Sequence, residues 1–149
     1  MPYKSPVPSS PEYLLTLGQA AYSYCYMEWT AIYVIKKLDP TFEIATTHEM
    51  TGGKIGRALK RAVKIKLPGH PEDVGKRLIA AYREFFSAVE VRSDLLHAHP
   101  FTAAGGHQRL GRYKAGLNYE WGRADIDAAC EKFDKLNAEL NDLYYRHLA

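Results

Sequence analysis

The sequence predicts an all-α fold, an up-and-down bundle of four main helices with a loop or short hairpin before the last one. Three observations carry that expectation. Apolar residues recur at intervals of three and four over four long segments. Proline-containing stops, "LDPTFE", "LPGHP" and "HAHP", separate the first three. The only stretch of different character, "FTAAGGHQRLGRYKAGLNYEWGR" (101–123), is glycine-rich with alternating Leu, Tyr and Trp. A chain of 149 residues is the size of one domain, expected over 11–149 after a Pro-rich leader at 1–10.

The first helix is expected from the recurrence of Leu14, Leu17, Ala21, Cys25, Trp29, Ile32 and Ile35, running to Lys37 and Leu38. About 27 residues at ~1.5 Å each span roughly 40 Å, a length suited to a long bundle. Pro40 ends it by pushing Asp39 out of helical geometry. A second helix starts near Thr51, whose hydroxyl can cap free amides, although Gly52, Gly53 and Gly56 weaken its first turns. Its apolar positions are Ile55, Leu59, Ala62 and Val63. Pro71 suits the first turn of a third helix, whose stripe Val74, Leu78, Tyr82, Phe85 and Val89 leads to Arg92. From Asp125, the narrow seam Ile126, Ala129, Phe133, Leu136, Leu140, Leu143 and His147 marks the fourth.

A composition of 46% hydrophobic and 25% charged residues is that of an ordinary globular protein and excludes disordered or collagenous classes. The proline-bearing start is unlike a secretory signal, and the apolar run "AAYSYCYMEWTAIYVI" is broken by Ser23, Glu28 and Thr30, so a cytoplasmic protein without membrane insertion is expected. Cys25 and Cys130 show neither metal spacing nor a disulfide framework and are expected as small core residues. "THEMTGGK" lacks the second histidine of a zincin and the spaced glycine of a phosphate loop. His48, His97, His99 and His107 are not arranged as metal ligands, and neither a metal nor a cofactor is expected.

Charge is unevenly placed. From Thr51 to Gly69 there are six Lys or Arg and no acid, whereas Glu120 to Ala149 holds seven acids against four Lys or Arg. Solvated helix faces usually mix signs, so Lys54, Arg57, Lys60, Arg61 and Lys64 form a candidate phosphate-binding face. Arg109 and Arg112, with Lys114, are interleaved with Tyr113, Tyr119 and Trp121, a pattern that suits stacking and phosphate contacts to single-stranded RNA. The tyrosines of the first helix, Tyr22, Tyr24, Tyr26 and Tyr33, spread around its sides, as expected for a helix covered by a second subunit.

The densest group of ionisable residues is "VRSDLLHAHP" (91–100). Arg92 lies on the apolar stripe of the third helix, where a guanidinium either reaches the edge or meets an anion. On a continuous helix Arg92 and His97 point ~140° apart, while Arg92 and His99 lie only ~20° apart. For His97 to serve with Arg92, the helix must break before it or a second subunit must complete the site. Asp94, three residues before His97, is placed to orient its imidazole.

"RSDLLH" resembles the Arg, four to six residues, His signature of HEPN-superfamily domains, where the motif follows a long helix of an all-α bundle. The resemblance implies a metal-independent endoribonuclease, often a toxin or defence effector, acting as a homodimer whose two motifs face each other across a cleft, with an antitoxin or other protein as a further partner. It assigns catalysis to Arg92 and His97. The polar residue that often directly follows the arginine is here Ser93, which moves the supporting role to Asp94. Family toxins controlled by nucleotide modification carry a tyrosine where this chain has His99, so that control is not implied; His99 is the lesser catalytic candidate. The chemistry needs a base for the 2′-hydroxyl, an acid for the leaving 5′-oxygen and a cation for the phosphorane, giving a 2′,3′-cyclic phosphate. A histidine suits the first two roles and a guanidinium the third. The alternative is a catalytically silent helical module that dimerises or binds a partner protein.

Overall fold

The computed structural model describes residues 10–148; the Pro-rich leader expected at 1–10 lies, apart from Ser10, outside the described residues. Four α-helices are present among them: α1 (Pro11–Leu38), α2 (Gly52–Lys66), α3 (Glu72–Leu96) and α4 (Arg123–Asp142). Each packs against its two neighbours in a ring, α1–α2–α3–α4–α1. The α1–α4 pairing is the most extensive, and the diagonal α1–α3 contact is slight. The helical bundle is therefore present, but the fold is not purely all-α. The segment expected as a loop or short hairpin is a three-stranded antiparallel sheet, β1 (His99–Thr102), β2 (Gln108–Lys114) and β3 (Leu117–Trp121), in the order β1-β2-β3.

The sequence cue for this sheet is weak for a local reason. The β2–β3 connection is a two-residue turn in which Ala115 and Gly116 both have positive φ, 52° and 77°. That geometry favours Asn-Gly or Asp-Gly, and an alanine in its first position hides the turn. The sheet is held to the bundle by Tyr13, whose hydroxyl donates to the Trp121 carbonyl at 2.7 Å and accepts from the Leu110 amide at 3.0 Å. Burial raises the Tyr13 phenol above its ordinary pKa, so it stays a donor. Tyr13, Ala20, Leu95 and Ile126, with Leu17, Leu110, Trp121 and Cys130 against them, form a small second core at this end of the bundle.

The expected helical cues are realised in α2 and α4. The Thr51 side chain accepts from the Lys54 amide, and Ile55, Leu59, Ala62 and Val63 are buried. Ile126, Ala129, Phe133, Leu136, Leu140 and Leu143 are buried too, whereas His147 is exposed. Two of the three glycines that weaken α2 have a packing role. A Cβ on Gly52 would stand 2.6 Å from the Tyr24 hydroxyl and 3.2 Å from Val89, and one on Gly56 would stand 2.9 Å from the Phe86 ring.

The buried face of α1 agrees with the expected one at Ile32, Ile35 and Leu38 but differs from it by about one position in the first two thirds of the helix, where Tyr13, Thr16, Ala20, Tyr24 and Met27 are buried, with Thr30, Ala31 and Val34 beyond them. Leu14 and Trp29, at 40% and 48% exposure, belong to the outer face with Tyr22, Tyr26 and Tyr33. A helix this rich in apolar residues offers two plausible stripes, and the neighbours decide between them: the sheet claims Tyr13, and Phe133 of α4 meets Tyr24 edge-on at 5.3 Å. The expectation that both cysteines are core residues is corrected as well: the α1 shift leaves Cys25 exposed, and Cys130 on α4 lies at the edge of the small second core, only partly buried. Among the described residues, no helix is long and apolar enough to cross a membrane.

Candidate functional site

α3 delivers the "VRSDLLHAHP" stretch and ends there. Leu96 is its last residue and His97 is the C-cap, with φ −93° and ψ 8°. The His97 amide still donates to the Ser93 carbonyl at 3.0 Å, and the Ala98 amide tightens onto Leu95 at 3.3 Å. Helical phase therefore persists through His97 and is lost only beyond it, as Pro100 and β1 follow. The break comes after His97 rather than before it, so Arg92 and His97 keep the ~140° divergence of a regular helix. His97 and His99 are both exposed, and His99 is the first residue of β1, its ring 6.3 Å from that of Phe101.

Arg92 opens into a cavity of about 350 Å³ between α1, the end of α3, β2 and α4. Leu96 and Ala98, which flank His97, also line it. Its guanidinium lies 5.4 Å from the centroid of the Tyr24 ring, within cation–π range. Among the described residues no carboxylate stands within 4 Å of it. The Tyr24 hydroxyl donates instead to Glu28 Oε2 at 2.7 Å. Burial first, and the Glu28 carboxylate second, push the Tyr24 phenol far above its ordinary range, so it remains protonated. Arg92, Tyr24 and Glu28 make the polar end of a cavity whose other walls are mainly apolar, among them Leu17, Leu95, Leu110 and Phe133.

Tyr24 and Glu28 were not singled out as site residues from the sequence. Their separation from Arg92 along the chain leaves no motif. The available signal is Glu28 itself, the one acid in the apolar run 20–35, four residues after a tyrosine it can reach on a helix.

Other candidates are placed differently from the expectation. Asp94 pairs with Arg112 at 3.1 Å and Lys114 at 3.7 Å on β2, so its carboxylate joins α3 to the sheet and is not brought to His97 or Arg92. Arg109 lies 4.6 Å over the Tyr13 ring, donates to the Gln108 carbonyl and faces Glu120 at 3.8 Å. The two sheet arginines are thus engaged inside the fold, while Tyr113 and Tyr119 stay exposed.

On α2, Lys54, Arg57, Lys60, Arg61 and Lys64 are all exposed, as the charge pattern predicts. The acid-free character of that segment is local only. Lys54, Arg57 and Arg61 form one wall of a groove that Asp39 and Glu43 line from the α1–α2 connection. The Asp39 carboxyl is held below its ordinary pKa, first by hydrogen bonds from Thr41 and further by the positive charge of Arg61. Lys60 leans toward the Tyr82 ring, 6.0 Å from its centroid.

No group of three or more His, Cys, Asp or Glu converges into a metal-binding cluster among the described residues. Comparison of the chain with protein-family models, curated proteins and solved structures finds no match, so the site stands on its own geometry.

Proposed function

We propose that the protein is a metal-independent endoribonuclease of the HEPN type, acting as a homodimer in the cytoplasm, with Arg92 and His97 as its catalytic residues. The observation that carries the reading is Arg92: a guanidinium set into a cavity, placed over an aromatic ring and without a carboxylate partner among the described residues. A half-buried cation without an internal anion is suited to an external one, and a scissile phosphate supplies it. His97 is exposed, and its two neighbours in the chain, Leu96 and Ala98, line the cavity.

Because α3 keeps its phase through His97, one protomer does not turn both side chains toward one atom. A second copy facing the first offers each Arg92 a histidine from across the cleft, which supports the dimeric form. In that arrangement the histidines withdraw the 2′-hydroxyl proton and protonate the leaving 5′-oxygen. Arg92 stabilises the charge that develops on the phosphorane. The exposed α2 cations hold the flanking RNA backbone. Roles as a toxin or defence effector, and an antitoxin that covers the cleft, belong to the same proposal.

The test is cleavage of mixed RNA by the purified chain in excess EDTA, with the product ends identified. Fragments ending in 2′,3′-cyclic phosphate are expected, with loss of cleavage in Arg92→Ala and His97→Ala. Parent-like cleavage by either variant would sink the assignment. Stable dimers without any cleavage would favour the silent interaction module, for which the aromatic outer face of α1 is the relevant surface.

A further inference from the structure

The cavity beside Arg92 combines features that seldom serve one small ion. Its volume of about 350 Å³ falls in the roughly 300–1,000 Å³ range of small-molecule sites. Its walls are apolar apart from Tyr24 and two charged groups that touch it: Glu28, an acceptor-only carboxylate bonded to the Tyr24 hydroxyl, and Arg92, a donor-only guanidinium near the Tyr24 ring. Glu28 accepts one hydrogen bond, from Tyr24. Among the described residues it has no cation within 4 Å, so most of its acceptor capacity is open. It stands on the wall shared with a second cavity under the Ile44–Glu49 turn.

These groups restrict what can enter. A simple anion suits Arg92 but meets Glu28 with like charge. An organic cation suits Glu28 but meets Arg92. An apolar molecule would cover the carboxylate without pairing it. The fitting ligand has a flat apolar body, an edge of adjacent hydrogen-bond donors and a negative group, and a guanine nucleotide has all three.

We propose that this cavity takes the guanine base beside the scissile phosphate of RNA, and that Glu28 is the specificity-determining residue. The RNA part of the inference rests on the ribonuclease reading; the base preference can be tested without it. Guanine presents N1–H and the 2-amino group side by side, matching the two oxygens of a carboxylate. Adenine and cytosine present one amino group next to a bare ring nitrogen, whose lone pair faces the carboxylate. Uracil presents N3–H between two carbonyls. The hydrogen bond from Tyr24 orients Glu28 in advance, the apolar walls cover the faces of the ring, and Arg92 remains available for the phosphate.

The experiment measures binding of the 3′-monophosphates of guanosine, adenosine, cytidine, uridine and inosine to the full chain by calorimetry. A good bidentate contact gives discrimination on the order of tenfold or more. Guanosine is therefore expected to lead by that factor, with inosine, which lacks the 2-amino group, weaker than guanosine. In Glu28→Gln the lead should be lost with an unchanged melting temperature, because the amide oxygen still accepts from Tyr24. Equal binding of the five nucleotides, or inosine binding as well as guanosine, would overturn the proposal, and neither result depends on a variant folding. A guanosine lead that survives in Glu28→Gln would overturn it as well. RNA cleaved with no excess of guanine at the new ends would overturn it while leaving the ribonuclease reading in place. A guanosine lead that vanishes in Glu28→Gln, in a protein that cleaves no RNA, would uphold the pocket and remove the ribonuclease reading.

Discussion

α3 carries two half-buried arginines about four turns apart, and their surroundings differ. Arg77 Nε donates to Glu139 Oε1 at 2.7 Å, and one terminal nitrogen donates to Glu139 Oε2 at 3.0 Å and to Asp142 Oδ2 at 2.7 Å. Asp142 in turn meets Arg146 at 3.1 Å and His147 at 3.4 Å, closing the π-helical turn Leu143–His147 that ends the fourth helix. Arg92 has a tyrosine ring beside it, a cavity in front of it and no carboxylate within ion-pair distance among the described residues. The same side chain on the same helix is a clamp at one end and an open cation at the other. The difference lies in what α4 and α1 bring to each.

Substitutions at the two arginines should have opposite consequences for cleavage and for stability. Arg92→Ala should lower RNA cleavage by about 10²-fold or more, the scale of a lost catalytic group, while moving the unfolding free energy by less than about 1 kcal/mol in urea titration. A large loss of stability with cleavage retained would make Arg92 a second clamp. Gly52→Ala attacks the platform behind Arg92. Its Cβ meets a buried tyrosine hydroxyl and a valine, so overpacking should cost roughly 1–3 kcal/mol and displace Tyr24 from Glu28. A neutral or stabilising result would show that Tyr24 yields easily.

Arg77→Ala should do the reverse of Arg92→Ala. It should destabilise by roughly 1–2 kcal/mol, below the value of a fully buried charged network because the side chains remain partly solvated, with cleavage per folded molecule unchanged. The same variant should alter the acid limb of stability. The Asp142 carboxyl is held below its ordinary pKa, mainly by the Arg77 hydrogen bond. A folded-state value below the unfolded one contributes stability above about pH 4, lost as pH falls through the folded value. Urea midpoints taken from pH 5 downward should fall less steeply in Arg77→Ala than in the parent. The smallest effect concerns the sheet that Asp94 ties to α3. Ala115→Gly relieves a left-handed backbone and should stabilise by about 0.5–1 kcal/mol, visible as a small rise in melting temperature.

How far the sequence reached depended on whether each cue was local. Thr51 capping α2, Pro40 ending α1 and the α4 seam require only neighbours within a turn or two, and each is realised except at His147, the last position of the seam. The β2–β3 turn was local as well, but Ala115 disguised it. The choice of the Tyr13 stripe over the Leu14 stripe was not local, because both are apolar and only the sheet and α4 discriminate between them. The candidate site divides the same way: Arg92 and His97 stand in a short motif, whereas Tyr24 and Glu28 come from a helix more than sixty residues earlier.

Residue order alone accounts for the existence of four helices, the apolar faces of α2 and α4, and the concentration of ionisable groups at the end of α3. Periodicity, caps and proline act over one or two turns, so they can be read without a partner. The partners of the charged groups were set by the packing of distant elements. That packing sent Asp94 to Arg112 and Glu139 to Arg77, and set Asp39 and Glu43 in one groove with three cations of α2. It left Arg92 beside a tyrosine and a cavity. A charge is satisfied by whatever lies within a few ångströms in space, and separation along the chain does not predict that distance.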